Sequence, residues 1–258
     1  MEGSSTKLNR KKHIVMIMKK TKFNKESRNL LIAMLLGDGS ICAGKNTTYM
    51  KLHQGRKQKE YTEWKAKKLD EFGIPNSGVT EYQMKTNFTH GEKWSSYVCR
   101  IRSNMFIKVL RRVIYKNGKK TFSRKLLNRV SALGIAIWYM DDGSLNFKKH
   151  TNLNGEKKIH GVFLRISTCL PKEQAQIYID WLKDEWKVNF YMVHEGKKED
   201  SYSLCCGTNE AIKFINIIKA YVEEVPSMKY KIEYDLSHRL RLPIGCTQKT
   251  VEMHDTER

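Results

Sequence analysis

The sequence is poor in acidic residues, in paired cysteines and in long apolar runs. Its longest apolar runs are about ten residues, roughly half of a membrane span. The apolar segment at 14–18 is too short for a signal peptide and is flanked by lysines. The six cysteines form no C-x-x-C pair. These absences argue against a membrane-spanning chain, a zinc site and a disulfide framework, and they predict reduced thiols in an intracellular protein.

What the sequence has in excess is positive charge. It contains 48 Lys and Arg against 27 Asp and Glu, a formal net charge of +21 over 258 residues. Such an excess repels itself in a compact protein, so we expect a polyanionic partner, either nucleic acid or an anionic membrane surface. A hydrophobic content of 40% is typical of a globular chain, built as one large domain or two fused smaller ones.

Two apolar segments each end in an acidic residue and a glycine. The first reads LLIAMLLGDGSI over 30–41, and the second reads LGIAIWYMDDGSL over 133–145. A segment that is apolar on every side predicts a buried helix, which the glycine ends. The terminal carboxylates, Asp38 and Asp142, would then lie at the floor of a buried helix pair. Buried charge is costly, and acids are disfavoured at a helix C-terminus, so a cation should meet them there.

The rest of the chain predicts the same order of elements twice: helix, strand, strand, helix, strand, strand, helix. In the first half, helices are predicted at 25–36, 60–72 and 104–115 and strands at 49–53, 79–85 and 94–102. In the second half, helices are predicted at 131–140, 171–186 and 209–222 and strands around 145 and at 159–167, 188–194 and 202–206. We therefore expect a basic N-terminal arm (1–24), a first repeat (25–115), a linker (116–129), a second repeat (130–232) and a weakly structured tail (233–258).

A duplicated helix ending in Asp predicts a pseudo-twofold axis with Asp38 and Asp142 close together. Like charges at such a distance repel unless a divalent cation bridges them. Carboxylate and carbonyl oxygens suit Mg²⁺ or Mn²⁺, and metal-bound carboxylates in a basic protein point to phosphodiester hydrolysis. The alternative is a purely structural pair of core helices with acidic ends, but the duplication together with the charge favours function.

The alternating strands offer a binding surface for nucleic acid. Tyr49, Lys51 and His53 share one strand face, as do Arg100 and Arg102, while Arg165 lies opposite its apolar neighbours. Lys85 and His194, at the ends of two predicted strands, complete the candidate DNA contacts. For any one of these residues a merely solvated strand face is equally compatible, so the summed charge is the stronger indication.

The two helices resemble the LAGLIDADG motif of homing endonucleases. Residues 31–39 and 135–143 occupy the nine motif positions, and the W-Y-M-D-D-G form resembles the branch that contains the monomeric enzyme I-SceI. The resemblance covers about 25–232 and implies an α+β fold of two pseudo-symmetric αββαββα repeats. These pack on the central pair of motif helices, and each repeat has a four-stranded antiparallel sheet. Together the two sheets would form a saddle over duplex DNA.

The resemblance also implies site residues. The last Asp of each motif, Asp38 and Asp142, would bind the catalytic metals, helped by the carbonyls of Gly37 and Asp141. The lysines Lys120 and Lys231, near the ends of the two repeats, would act in catalysis, although Lys119 competes with the first. The sequence departs from the motif in two ways. Leu36 and Met140 replace its first Asp, and the bulky Ile32 and Ile137 lie beside the small Ala33 and Ala136 where the helices should cross.

By resemblance, the chain would be a monomeric endonuclease that cuts both strands of a long DNA site across the minor groove. It would use Mg²⁺, with Mn²⁺ able to substitute, and would leave short 3′ overhangs. It would work in a bacterial or phage-host cytoplasm or an organelle matrix. Without a Cys or Ser start and a His-Asn end, we expect a freestanding or intron-encoded enzyme rather than an intein domain. The alternatives are a group I intron maturase, which binds intron RNA, and a non-catalytic DNA-binding regulator.

Overall fold

The structure, a computed structural model, describes residues 23–44, 47–84, 94–151, 155, 157–196 and 200–234. None of the helices in these ranges is long and apolar enough to cross a membrane. The five cysteines within them are free thiols: Cys99, Cys205 and Cys206 are buried, Cys42 is half-buried and Cys169 is exposed.

The first half of the chain forms helices on one side of a four-stranded antiparallel sheet with strand order β1-β2-β4-β3. Its elements are α1 (Lys25–Leu36), β1 (Ser40–Ala43), β2 (Thr48–Gly55), α2 (Lys59–Glu71), β3 (Asn76–Met84), β4 (Trp94–Ile101) and α3 (Met105–Ile114). The strand β1 was not predicted individually, because four residues are too few to show an alternating pattern.

The second half repeats this arrangement with strand order β7-β8-β10-β9. Its elements are α5 (Ala132–Asp142), β7 (Gly143–Thr151), β8 (Lys157–Leu170), α6 (Lys172–Trp186), β9 (Tyr191–His194), β10 (Tyr202–Cys206), α7 (Thr208–Glu223) and a 3-10 helix (Pro226–Lys231). The predicted αββαββα order is therefore confirmed in both halves, and it is an α+β fold with antiparallel sheets.

The segment expected to be a linker has structure of its own. A two-stranded hairpin, β5 (Tyr115–Lys116) with β6 (Lys119–Lys120), is followed by the short helix α4 (Arg124–Leu127). The turn between the strands uses Asn117 and Gly118, both with positive φ, which is the composition that two-residue hairpin turns favour. The hairpin places Lys120 beside the end of α1.

The two motif helices α1 and α5 pack against each other at the centre of a continuous core. Asn24 caps α1 by accepting a hydrogen bond from the Ser27 amide at 2.7 Å, and Ser131 caps α5 in the same way. Ala33 and Gly134 lie in close contact where the helices cross, since a side chain at Gly134 would overlap the Ala33 methyl group. The small residue that permits this crossing is therefore Gly134, which the sequence analysis did not single out, while Ala33 was identified correctly.

Candidate active site

The Asp-Gly at the end of each motif helix turns the chain into the inner edge strand of its sheet. The Gly39 amide donates to the Met34 carbonyl at 3.0 Å, and the Gly143 amide donates to the Tyr139 carbonyl. A side chain on Gly39 would overlap that Met34 carbonyl, and one on Gly143 would overlap the Tyr139 ring. Gly143 has a φ of −83°, which any residue can adopt, so a glycine is needed at this position because of close packing and not because of a left-handed backbone.

Three carboxylates gather where the two helices end: Asp38, Asp141 and Asp142. Burial and repulsion from Asp141 and Asp38 raise the pKa of Asp142 to about 7, despite the lysines nearby. Asp38 is exposed as a residue, but the protein atoms around its carboxyl group still raise its pKa, and Asp141 adds to the effect. Burial and mutual repulsion thus disfavour the charged form of both motif carboxyl groups.

Lys120 and Lys231 lie at equivalent places beside the two helix ends. The Lys120 ammonium donates to the carbonyls of Leu35 (2.9 Å), Gly37 and Gly39 (3.1 Å). The Lys231 ammonium donates to the carbonyls of Met140 (2.5 Å) and Asp141 (3.4 Å), and its backbone carbonyl accepts from the buried Tyr139 hydroxyl. Cations at helix C-termini are favoured by the helix dipole, which is the compensation that the acidic ends require.

Each lysine thus contacts the carbonyl of the residue before the motif Asp, Gly37 in one half and Asp141 in the other. Lys119, the competitor of Lys120, is exposed on the hairpin. Burial lowers the pKa of both Lys120 and Lys231, although the nearby carboxylates oppose that shift. A cleft of about 620 Å³ opens next to Asp38, Asp142 and Lys120, so a substrate can reach these groups.

Two polar side chains of the first half complete the site, and the sequence analysis missed both. The Lys65 ammonium forms an ion pair with Asp141 Oδ1 at 2.5 Å, and neither side chain has any exposed surface. Gln54 Nε2 donates to Asp38 Oδ2 and to Asp141 Oδ1, both at 3.0 Å. The sequence held a signal for each residue. Lys65 lies four residues after Tyr61 on the apolar face of α2, and Gln54 continues the alternation of the buried Met50 and Leu52 in β2.

The outer face of the first sheet is cationic. Lys51 pairs with Arg100 across β2 and β4, and the Arg100 guanidinium lies 5.1 Å from the Tyr82 ring and 5.9 Å from the Tyr49 ring. His53 lies on the same face, where burial and Lys51 lower its pKa while Asp38 opposes that shift. Arg102 is exposed one residue beyond β4. The structure therefore places four of the predicted contacts, Tyr49, Lys51, His53 and Arg100, on one face.

On the outer face of the second sheet, the predicted contact Arg165 already has an acidic partner. Arg165 forms an ion pair with Glu195 at 2.7 Å, and Glu195 also accepts a hydrogen bond from Ser203. His194 pairs with Tyr202 across β9 and β10, on the face of the sheet that also carries the buried Leu204, and the two rings lie 5.2 Å apart. His194 therefore lies on the opposite face from Arg165, because successive residues of a strand point to opposite faces, and its role as a DNA contact stays a prediction. Lys85 lies outside the described residues.

Residues 28–214 match the LAGLIDADG DNA endonuclease family, and they include both motifs and every strand of the two four-stranded sheets. The chain belongs to this family. It superposes on the homing endonuclease I-WcaI bound to its DNA recognition sequence with a TM-score of 0.66 and 24% identity, covering 84% of this chain and 90% of that one. At this identity the likeness shows the LAGLIDADG fold.

Two curated relatives are similar to the chain over most of its length. The chain is 26% identical over 218 residues to the probable intron-encoded endonuclease 1 of Wickerhamomyces canadensis, covering 84% of this chain and 87% of the relative. It is 26% identical over 209 residues to a protein named RecA of Mycobacterium shimoidei, covering 79% of this chain and 45% of the relative. The chain therefore spans about half the length of the first curated relatives that it matches.

Proposed function

We propose that the chain is a metal-dependent endonuclease that cuts both strands of a long, specific duplex DNA site and leaves short 3′ overhangs. The observation that carries the proposal is the convergence of Asp38 and Asp142 at the ends of two packed motif helices, with raised pKa values on both carboxyl groups. Membership of the LAGLIDADG family, the charge of +21 and the cationic sheet face support it.

The donor set fits a hard divalent cation. Asp38 and Asp142 offer carboxylate oxygens, and the carbonyls of Gly37 and Asp141 point towards the same region, where they hold the two lysine ammoniums. Oxygen donors of this kind suit Mg²⁺, with Mn²⁺ as a substitute. A divalent cation would also favour the charged form of both carboxyl groups, whose pKa values burial and mutual repulsion raise. When bound, it supplies Lewis-acid stabilisation and a metal-activated water.

Lys120 and Lys231 are the catalytic side chains that the chain itself adds. Each ammonium lies beside one motif helix end, where it can stabilise negative charge on a phosphate or hold the attacking water. The lowered pKa of each lysine eases proton donation at the leaving oxygen. Because the two lysines occupy equivalent places in the repeats, we assign one to each strand of the duplex.

Duplex DNA is the proposed partner, bound along the outer faces of the two sheets by a single chain. The inner edge strands β1 and β7 follow directly from the motif helices, so DNA lying on the sheets would pass over Asp38 and Asp142. We assign DNA contacts to Tyr49, Lys51, His53, Arg100, Arg102 and Arg165. Lys85 remains a proposed contact from the sequence alone. The repeats at 25–115 and 130–232 would each cover one half-site.

A direct test is cleavage of a random-sequence or intron-junction DNA library with Mg²⁺, comparing wild type with Asp38→Asn and Asp142→Asn. We expect discrete double-strand cuts with wild type and a reduction of at least about 100-fold in either variant, because removing a metal ligand should cost more than removing a hydrogen-bond partner of that ligand. The target sequence is read from the cut molecules. Binding of DNA without cutting, with intron RNA as an effective competitor, would instead establish the maturase alternative.

A further inference from the structure

The ion pair between Lys65 and Asp141 has no part in the chemistry proposed above. Both side chains are fully buried, and the ammonium also lies 4.2 Å from the Tyr61 ring. Taking two charges out of water costs about as much as their attraction returns, so apolar residues of the same volume would stabilise the fold equally well. Stability therefore does not explain the ion pair. The hydrogen bonds that the Asp141 carboxylate accepts do explain it.

The Asp141 carboxylate holds Asp38 in two ways. Asp141 Oδ2 accepts a hydrogen bond from the Asp38 amide at 3.0 Å. Asp141 Oδ1 accepts from Gln54 Nε2, and the same Nε2 donates to Asp38 Oδ2. Lys65 neutralises the carboxylate at the centre of this network. The backbone and the carboxyl group of Asp38 are thus oriented by a residue that comes from the other half of the chain.

The second half has no counterpart of this network among the residues that the structure describes. Ser40 pairs with Lys51, three residues before Gln54, and the equivalent Ser144 pairs with Arg165, three residues before Thr168. Thr168 is therefore the equivalent of Gln54, but its hydroxyl donates to the Tyr202 carbonyl. Lys65 and Tyr178 are both the seventh residue of their helices, and Tyr178 packs on the Trp138 ring at 5.7 Å.

Gly37 is the equivalent of Asp141 in the first motif. A side chain on Gly37 would overlap Asp141 Oδ2, so the axis has room for one such carboxylate and not for two. Asp142 is therefore held without the hydrogen-bond network that orients Asp38.

We propose that Lys65 and Asp141 are a positioning pair for Asp38, and that they make the two catalytic half-sites unequal. The inference rests on the proposed endonuclease function. Asp38 is held in its orientation before DNA arrives, so the strand whose scissile phosphate lies against it is cut with little reorganisation. The two side chains touch neither the phosphate nor the reacting atoms, and only the backbone carbonyl of Asp141 belongs to the proposed metal site. Removing it should slow the cutting of one strand selectively.

The test uses the double variant Lys65→Met/Asp141→Leu, which removes both charges and keeps apolar side chains in the core. Gln54→Leu is a second variant that leaves the ion pair in place and removes its link to the Asp38 carboxylate. The substrate is the duplex recovered by wild type from the library, labelled at each end in turn. Strand-specific rates are measured at saturating protein, together with the urea midpoint of each variant.

We expect both variants to cut one strand about 10- to 100-fold more slowly, with nicked duplex accumulating, as is typical when a hydrogen-bond partner of a metal ligand is removed. The matched control is Lys68→Met/Glu224→Leu, which removes another Lys–carboxylate pair between α2 and the second half, at 2.9 Å, without touching Asp38. It should leave the ratio of the two strand rates unchanged. Equal slowing of both strands, or no slowing in either variant, would overturn the positioning role. Failure of wild type itself to cut would instead reject the endonuclease function.

Discussion

The first half surrounds the end of its motif helix with polar side chains, whereas the second half uses a tyrosine and a threonine. Lys65 and Gln54 correspond to Tyr178 and Thr168. The sheets differ as well, because Arg100 is flanked by aromatic rings while Arg165 is paired with Glu195. The backbone follows the pseudo-symmetry, and the chemistry does not. Two unlike halves on one chain can read two unlike half-sites, which a symmetric dimer cannot.

The largest expected effect that separates the halves concerns the buried charges. Lys65→Met leaves the Asp141 carboxylate buried without its cation and should lower the free energy of unfolding by about 3–5 kcal/mol. Tyr178→Phe, at the equivalent helix position, removes only a hydroxyl group and should cost far less. Urea unfolding followed by circular dichroism measures both. Similar losses of stability in the two variants would show that the halves are equally dependent on this position.

The pH dependence of stability should distinguish the two motif carboxylates. The pKa of Asp142 is raised to about 7, so the folded state binds this proton more tightly than the unfolded chain. The protonated Asp142 carboxyl group therefore contributes its full stabilisation of the fold below the ordinary pKa of Asp, and this stabilisation is lost as the pH rises through 7. In EDTA, wild type should lose up to about 1.4 kcal/mol per pH unit relative to Asp142→Asn across this window.

The same comparison with Asp38→Asn should show a shallower dependence, since Asp38 is exposed as a residue. Urea midpoints measured from pH 4 upwards test both variants. Parallel curves for wild type and Asp142→Asn would contradict the raised pKa.

The room at the pseudo-twofold axis can be tested through Gly37. Gly37→Ala places a methyl group on Asp141 Oδ2 and should destabilise the fold by about 1–3 kcal/mol, the usual cost of overpacking. The cost should shrink in a Lys65→Met/Asp141→Gly background, because the carboxylate is gone together with the Asp141 Cβ that would lie 2.7 Å from the new methyl group. The control is Gly55→Ala, where an added methyl group meets no atom within 4 Å. If Gly37→Ala destabilised the fold equally in this background, the overlap with Asp141 would not be the cause of the lost stability.

The smallest expected effect lies in salt dependence. Lys51→Ala with Arg100→Ala should reduce the slope of log affinity against log salt by about 0.9 for each phosphate that is no longer neutralised, measured on a random-sequence duplex. Arg165→Ala should change the slope less, because Glu195 already neutralises that guanidinium. Fluorescence anisotropy over a salt series measures both. A larger change for Arg165 would show that the ion pair opens on DNA.

Much of this protein was predictable from sequence because the pattern occurs twice. The apolar helices ending in Asp-Gly, the order of the elements and the proximity of Asp38 and Asp142 came from local patterns and their repetition. Lys120 and Lys231 became candidates through the resemblance to the family. The prediction failed where a contact links distant parts of the chain. Lys65 and Gln54 were not singled out, because nothing local shows that each has a partner in a distant part of the chain.

The sequence by itself determined the fold class, the two motif helices and the positive charge, because helix and strand periodicity and net charge are local or additive properties. Only the tertiary structure decided which charges are paired. The Asp141 carboxylate meets Lys65, Gln54 and the Asp38 amide because α2, β2 and α5 converge at one axis. Buried charges are stable only with partners, and those partners are supplied by packing between segments far apart in the chain.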